Sequence, residues 1–478
     1  MRKTKIVCTM GPATENKDTL KKLMLMGMNV ARQNFSHGTH EMHKKMHDNV
    51  ISAAKELGYP IATMLDTKGP EVRLRDFEDD KVELKDNNYF NLTTDEVMGT
   101  DVRASVTYKG LPADVNIGTT ILIDDGNVEL RVEDKTSTDI ICKVIHGGVI
   151  ANHKGINVPN VKLSMPYISE VDDSDIRFAA RENFDFVAAS FVTCADDIKA
   201  IRKILQEEGR PDIQIIAKIE NREGVDRMDE IIAEADGIMV ARGDMGVEIP
   251  FVEIPRIQKE MLRKCGLVSK PAITATQMLE SMIKKPRPTR AEISDVANAI
   301  YDGSDAIMLS GETAAGAYPV EAVGVMASIA ATTEESIKYA EMFKTKWNNE
   351  QSSVVTAVAH SAVSAATDID AGAIITVTKT GNTARLIARY RPGCKIVACT
   401  PNEVTWRQLA LAWGVKPVLI EETLRSTDDL IHNAIVESAI MGAVETEDMV
   451  VVTAGVPLGV AGTTNIMKIC SVKEETKV

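Results

Sequence analysis

Eight short apolar runs, each ending in charged or hydroxyl residues and separated by a few dozen positions or more, constrain this chain more than any other feature. They are KIVCT (5–9), NVARQ (29–33), IATML (61–65), DFVAAS (185–190), IQIIA (213–217), GIMVA (237–241), AITAT (272–276) and AIMLS (306–310). Each is too short for a helix and reads as a strand buried on both faces. Most gaps hold one amphipathic stretch of helical length, such as DTLKKLMLMG (18–27) and DDIKAIRKILQEEG (196–209), as parallel crossovers require. The beat predicts an α/β chain built on a (β/α)8 TIM barrel, whose chemistry belongs where strands end and loops begin.

One gap, between Leu65 and Asp185, is far too long for a single crossover. Within it, residues 71–166 alternate β-branched with polar residues in KVELKD, NYFNLTT, RASVTY, TTILID, VELRVED and IICKVI, separated by turn signals such as Asp125-Gly126-Asn127 and Gly147-Gly148. This predicts an inserted small β-barrel lid domain over 71–166, interrupting a barrel domain of residues 1–70 and 167–343. A module above the strand ends would move and exclude water. The polar stretch KTKWNNEQSS (344–353) reads as a linker. Beyond it AGAIITVT (371–378), KIVACT (395–400), VKPVLI (415–420) and DMVVVTA (448–454) alternate with helical stretches, predicting a C-terminal α/β domain over 344–478 with a mostly parallel sheet.

The net charge of -14 and the absence of a basic window argue against a nucleic-acid partner. Small anions must then be met by local positive charge. The opening MRKTKIVCTMGPA is too short in its apolar part for a signal peptide, and no run approaches the roughly 18 apolar residues of a membrane span. A soluble, cytoplasmic protein is expected. Cys8, Cys142, Cys194, Cys265, Cys394, Cys399 and Cys470 are odd in number and show no Cys-x-x-Cys spacing, so buried free thiols are expected.

The fifth run leads into KIEN, giving Lys218 and Glu220, and the sixth into ARGDMGVE, giving Arg242, Gly243, Asp244 and Glu248. Glu220 and Asp244 are hard oxygen ligands from neighbouring strand ends and suit Mg²⁺ or Mn²⁺. A structural rim network, with Lys218 merely paired to acids, competes with this reading when these residues are taken alone. Gly243 and Gly246 let backbone amides approach an anion. The seventh run places the Thr276 hydroxyl at the same rim with a helix N-terminus after it, and the eighth places Ser310 and Glu312 there. From the second and third runs come Arg32, Asn34, Ser36 and His37, then Asp66, Thr67, Lys68, Glu71 and Arg73. The oxygens of this set fit a second, weakly held hard cation, and the arginines offer planar forks to phosphate. A rim that gathers negative charge in this way is suited to phosphoryl transfer.

The motifs NFSHG (34–38), LDTKGPE (65–71), KIEN (218–221), ARGDMGVE (241–248), ITATQMLESM (273–282), PRPTRAE (286–292) and LSGETAAGAYP (309–319) occur in order, and through them the whole chain resembles the pyruvate kinases. The resemblance implies transfer of the phosphoryl group of phosphoenolpyruvate to ADP, giving pyruvate and ATP as the last step of glycolysis, with Mg²⁺ (or Mn²⁺) and K⁺. It implies that Glu220 and Asp244 hold the divalent cation and that Lys218 stabilises the phosphoryl group in flight and the enolate left behind. Arg32 and Thr276 would act beside Lys218, with Gly243 and Thr276 against the substrate carboxylate. Asn34, Ser36, Asp66 and Thr67 would bind K⁺, while Arg32, His37, Arg73 and Lys154, together with Asn34, would face substrate or nucleotide phosphates. Glu71 resembles the residue of K⁺-requiring members; those with Lys there supply the charge internally. The resemblance also implies a homotetramer.

In the C-terminal part, the loop Thr378, Lys379, Thr380, Gly381, Asn382 and Thr383, with GVPLGVAGTTN (455–465), resembles the family's allosteric site for a sugar phosphate or nucleotide. An ordinary strand-to-helix turn is the alternative there. Three departures stand out: Gln33 replaces an apolar residue, His153 stands where Lys or Asn is commoner, and Ala315 where Lys is frequent. A phosphohistidine-type domain, carried by some bacterial relatives, is not expected after residue 478.

His37, His40, His43 and His47 fall at helix-like spacing, but no Cys joins them, so a solvated polar helix start is expected rather than a zinc site. The Met-rich LKKLMLMGM reads as core packing. Two other classes share parts of the pattern. A divalent-metal barrel lyase or aldolase acting on pyruvate enolates would need neither lid nor K⁺ cage, and a catalytically dead scaffold should have lost Lys218, Glu220 or Asp244.

Overall fold

The computed structural model describes residues 2–346, 353–421, 426–457 and 462–475. Its centre is a closed barrel of eight parallel strands, Lys5–Thr9, Val30–Asn34, Ala62–Asp66, Phe186–Ala189, Gln214–Ile219, Gly237–Ala241, Ala272–Ala275 and Ala306–Leu309, in chain order around the ring. The first and eighth strands close it, with Lys5 opposite Ala306. All eight expected runs are strands; those at 5–9 and 237–241 coincide with the runs, and the other six differ at their ends by one or two residues. The interior is packed by Val7, Val30, Met64, Phe186, Ile216, Met239, Ile273 and Met308, and Ala410 and Leu411 from the C-terminal part join the same cluster. Burying each larger side chain stabilises the barrel by about 1.5–3 kcal/mol.

The crossover helices are fixed by caps as well as by apolar faces. The Thr39 side chain accepts from Met42 N at the start of the helix His40–Leu57, which ends at Gly58 in the left-handed region. That helix corrects one expectation. His37, ahead of it, is exposed and His40 keeps 42% of its side chain in solvent, with Nε2 2.6 Å from Asp175 Oδ1, but His43 stacks on Phe35 at 3.7 Å and His47 is buried with its ring 4.4 Å from that of Phe184. The aromatic rings Phe35, Phe178 and Phe184 provide the packing that draws these imidazoles inward.

The inserted segment forms a seven-stranded sheet in the order Val72–Arg73, Gly155–Asn157, Thr120–Ile123, Val128–Lys135, Asp139–His146, Tyr89–Thr93 and Arg103–Ser105. A second, two-stranded sheet pairs Gly148–Ala151 with Lys81–Leu84. One pair, Tyr89–Thr93 with Arg103–Ser105, is parallel. Phe77, Phe90, Leu92, Leu130 and Ile140 sit in its own core. Asn157 Nδ2 donates to Glu248 Oε1 at 2.8 Å, tying this segment to the end of the barrel.

Beyond the barrel a five-stranded sheet runs Val415–Leu419, Lys395–Thr400, Ala373–Val377, Met449–Gly455 and Thr464–Ser471, parallel except for the last strand. The first three residues of the expected linker belong to the helix Tyr339–Lys346, because the apolar face carrying Tyr339 and Phe343 packs against the C-terminal core; residues 347–352 of it lie outside the described residues. All seven cysteines are free, and five of them are buried. No helix among the described residues is long and apolar enough to cross a membrane.

Candidate active site

Residues that finish adjacent barrel strands share one rim, so their side chains meet without being neighbours in sequence. Asn34 and Asp66 end the second and third strands and pair in register. Asp66 is fully buried, with Oδ2 accepting from Arg32 Nε at 2.6 Å and Oδ1 lying 3.0 Å from Lys218 Nζ. Burial works against the Asp66 carboxylate, but Arg32 and Lys218 outweigh it and hold the group below its usual range. Arg32 Nη1 donates to Thr9 Oγ1 at 2.9 Å, so this fork is braced from the first strand as well.

Lys218 and Glu220 lie two apart at the end of the fifth strand and therefore on one face. The buried ammonium reaches Asp66 Oδ1 at 3.0 Å, Glu220 Oε1 at 2.9 Å and Ser190 Oγ at 2.7 Å, a partner for each of its three hydrogens. Burial disfavours its charge; Asp66, Glu220 and Asp244 overcome that and push its pKa above the ordinary lysine value. Glu220 Oε2 accepts from the Phe191 amide at 2.6 Å, and Phe191 holds an unusual φ of 54° to aim it. Burial raises the Glu220 pKa; Lys218 opposes the rise and Asp244 adds to it. This carboxylate is short of positive charge.

Asp244 comes from the next strand. The fifth and sixth strands pair Ile219 with Val240, and the helix Arg242–Glu248 starts directly after the sixth, leaving Asp244 exposed in its first turn. Gly243 N donates to Thr276 Oγ1 at 2.7 Å, and that hydroxyl donates to the Ala275 carbonyl at 2.6 Å. Thr276 and Gln277 hold φ of 67° and 52°. Arg242 Nη2 donates to the Thr276 carbonyl at 2.8 Å while Nη1 donates to Asp295, so the strained turn is pinned. The element that follows is a 3-10 turn, Glu280–Ile283, in place of the expected helix start. Glu312, expected at the rim, is buried, and it accepts from the amides of Leu279 and Ser310 at 3.0 and 2.7 Å. Its carboxylate joins two loops rather than facing the cleft.

Between the rim and the inserted β segment lies a cleft of about 1080 Å³ whose walls include His37, Glu71, Arg73, Asp124, Lys154 and Asp244. Arg73 Nε donates to Glu71 Oε2 at 2.7 Å and Nη1 to the His153 carbonyl at 2.8 Å; Lys154 Nζ lies 2.7 Å from Asp124 Oδ1. The His153 ring itself pairs with Asp76 at 3.0 Å. On the other side, Asn34 Oδ1 accepts from Ser36 N at 3.2 Å, and Thr67 Oγ1 accepts from Ser190 N at 3.1 Å. Sequence reasoning missed Ser190, which also donates to the Thr67 carbonyl at 2.6 Å. The signal was present, as the hydroxyl that ends the fourth apolar run. Asp124 was missed too, beside a turn read only as a turn.

The C-terminal loop is a separate construction. Gly381, at φ 80°, donates its amide to Thr378 Oγ1 at 2.9 Å just before the helix Asn382–Arg389. Thr383 and Thr464 share a hydrogen bond of 2.6 Å, and the Lys379 carbonyl accepts from Thr405 Oγ1 at 3.1 Å. Of the companion stretch GVPLGVAGTTN, residues 458–461 lie outside the described residues.

Comparison with known proteins bears on both parts of the chain. Residues 1–323 match the family model "Pyruvate kinase, barrel domain", and residues 356–470 match "Pyruvate kinase, alpha/beta domain". A pyruvate kinase of Staphylococcus epidermidis is 50% identical over 477 residues, covering 99% of this chain and 81% of the relative. One from Geobacillus stearothermophilus is 50% identical over 470 residues, 98% of this chain and 80% of the relative. A crystal structure of a pyruvate kinase from Cryptosporidium parvum superposes with a TM-score of 0.93 at 43% identity, covering 98% of this chain and 96% of that one. With two family models in chain order and relatives matched nearly end to end, the chain belongs to the pyruvate kinase family of phosphotransferases.

Proposed function

We propose that the protein transfers the phosphoryl group of phosphoenolpyruvate to ADP, forming pyruvate and ATP, and that the work is done at the Lys218 rim. The observation that carries this reading is the Lys218 ammonium, buried and charged between Asp66, Ser190 and Glu220 at the barrel rim. Phosphoenolpyruvate and ADP repel each other, so positive charge must be gathered before in-line attack. Arg32 and Lys218 supply it on the barrel side, with His37, Arg73 and Lys154 on the side toward the inserted segment. Arg73 and Lys154 are held by Glu71 and Asp124, acids they can exchange for phosphate oxygens. Lys218 acts as a fixed electrostatic clamp whose raised pKa keeps it charged throughout.

Glu220 and Asp244 fit a divalent cation, Mg²⁺ or Mn²⁺: the donors are hard oxygens, and the charge deficit at Glu220 is one that such an ion relieves. Asn34, Ser36, Asp66 and Thr67 offer only oxygens and fit K⁺. When bound, the divalent ion stabilises the enolate oxygen as a Lewis acid. Thr276 and Gly243, locked to each other, orient the substrate carboxylate.

By the same reading, residues 1–70 and 167–343 make the catalytic domain, 71–166 the lid, and 344–478 a regulatory domain. The 378–383 loop would take a sugar phosphate or nucleotide effector on backbone amides. The active species would be a cytoplasmic homotetramer. The test of the reaction is pyruvate formation from phosphoenolpyruvate in Mg²⁺ and K⁺, with and without ADP. ADP-dependent pyruvate supports the assignment; pyruvate formed equally without ADP, or none at all, removes it.

A further inference from the structure

The turn that carries Asn34 and Ser36 is braced by His43, the fourth residue of the helix His40–Leu57. The His43 ring stacks on Phe35 at 3.7 Å with the two planes 11° apart. Its Nδ1 lies 3.1 Å from Gln33 Oε1 and its Nε2 lies 2.8 Å from the His37 carbonyl oxygen. A Cβ built on Gly38, which holds φ of 88°, would come within 3.3 Å of the same Nε2. One imidazole therefore touches the residue before Asn34, the residue between Asn34 and Ser36, and both residues after Ser36. The turn's own bonds are long: Ser36 N to Asn34 Oδ1 is 3.2 Å and His37 N to the Asn34 carbonyl is 3.4 Å. Contacts from outside must then hold its shape.

Hydrogen bookkeeping ties Gln33 to the same task. Gln33 is buried, and its Nε2 has no hydrogen-bond partner among the described residues. With the amide in that orientation both ring nitrogens face oxygen acceptors, a set that only an imidazolium satisfies. Burial lowers the His43 pKa, with the His37 carbonyl opposing, so the neutral ring with its single hydrogen is the form to be matched. That hydrogen on Nε2 serves the His37 carbonyl, and Nδ1 then needs a donor. A half-turn of the Gln33 amide supplies one and gives the unmatched Nε2 its partner. The oxygen that takes its place is a carbonyl, which costs less to leave unmatched than an N–H. An apolar side chain at 33 would leave Nδ1 without a donor, so this contact accounts for the departure at Gln33.

We propose that His43, with Gln33 beside it, is a positioning residue for the monovalent-cation site: the ring holds the 34–38 turn so that Asn34 and Ser36 present their oxygens together. The inference rests on the assignment of K⁺ to Asn34, Ser36, Asp66 and Thr67, and it gives His43 no contact with substrate. A weakly held cation is sensitive to such bracing, because ligands that must be ordered on binding lower its affinity.

The test compares the full native chain with His43→Phe, which keeps a ring against Phe35 and loses both hydrogen bonds. Potassium chloride replaces sodium chloride at constant ionic strength. The readouts are the rate of pyruvate formation with Mg²⁺ and ADP, and the Tm with Mg²⁺ and phosphoenolpyruvate but no ADP. In His43→Phe the K⁺ concentration at half-effect should rise roughly five- to ten-fold in both readouts. The kcat at saturating K⁺ should stay within about two-fold of native. A native half-effect concentration in His43→Phe overturns the inference, whatever happens to kcat. No K⁺ effect on either readout in the native chain removes the cation assignment, and the inference with it. Should His43→Phe fail to fold, Gln33→Leu takes its place: a rise of about three-fold is expected, and none overturns the inference.

Discussion

Ser190 Oγ lies 2.7 Å from Lys218 Nζ and donates its own hydrogen to the Thr67 carbonyl at 2.6 Å, so one hydroxyl ties the charged clamp to the oxygens proposed for K⁺. A hydrogen bond to a charged group contributes about 1.5–3 kcal/mol. Ser190→Ala is therefore expected to lower kcat by roughly ten- to a hundred-fold. The KM for ADP should hardly change, because Arg73 and Lys154 lie across the cleft. Steady-state kinetics check this, and an unchanged kcat would take Ser190 out of the account.

Gly243 sits so close to Thr276 that a Cβ built on it would meet Thr276 Oγ1 at 3.3 Å. Gly243→Ala should displace that hydroxyl while leaving the fold intact, since Gly243 does not occupy the left-handed region. The expected outcome is a rise in KM for phosphoenolpyruvate of roughly ten-fold with Tm nearly unchanged. A variant with native KM would separate the Gly243–Thr276 contact from substrate binding.

Glu71, bonded to Arg73 through both Nε and Nη2, brings negative charge to the cleft where a lysine would bring positive charge. The account predicts strong activation by K⁺ and poor activity in Na⁺ alone. Initial rates in the two chlorides at matched ionic strength decide it; equal rates would count against the K⁺ assignment.

His47 gives a pH dependence of stability. Burial lowers its pKa from 6.5 to about 4, with Asp48 and Glu182 opposing the shift. Between these values the unfolded chain binds a proton that the folded chain refuses, so stability rises with pH across that window. The contribution is fully present above pH 6.5 and is lost as pH falls toward 4, an effect of up to roughly 3 kcal/mol. Denaturant unfolding at pH 7 and pH 5 should show a larger loss in the native protein than in His47→Leu, and parallel losses would refute the assignment.

The barrel was legible because a strand buried on both faces leaves an apolar run whose last residue turns polar at the rim. Lys218, Glu220 and Asp244 could be read from that change of character. Ser190 could not, because one hydroxyl at the end of such a run is as compatible with packing as with chemistry until Lys218 is seen beside it. The strand Thr464–Ser471 escaped notice since it lies at a sheet edge and half of its side chains face solvent, which leaves only the weak alternation of Ile466, Lys468 and Cys470. His47 looked polar in isolation; its burial depends on Phe184, far away in the chain. Expectations that rested on long-range packing of this kind are the ones the fold revised.

The most direct test of the central claim measures two quantities on one variant, Lys218→Met: turnover of phosphoenolpyruvate with ADP, and affinity for Mn²⁺. Removing the ammonium should cut kcat by several orders of magnitude while Glu220 and Asp244 keep Mn²⁺ affinity within a few-fold of the native protein, roughly the spread expected when only transition-state stabilisation is lost. Full turnover in Lys218→Met would contradict the clamp, and loss of Mn²⁺ binding together with turnover would reduce Lys218 to a structural partner of the two carboxylates.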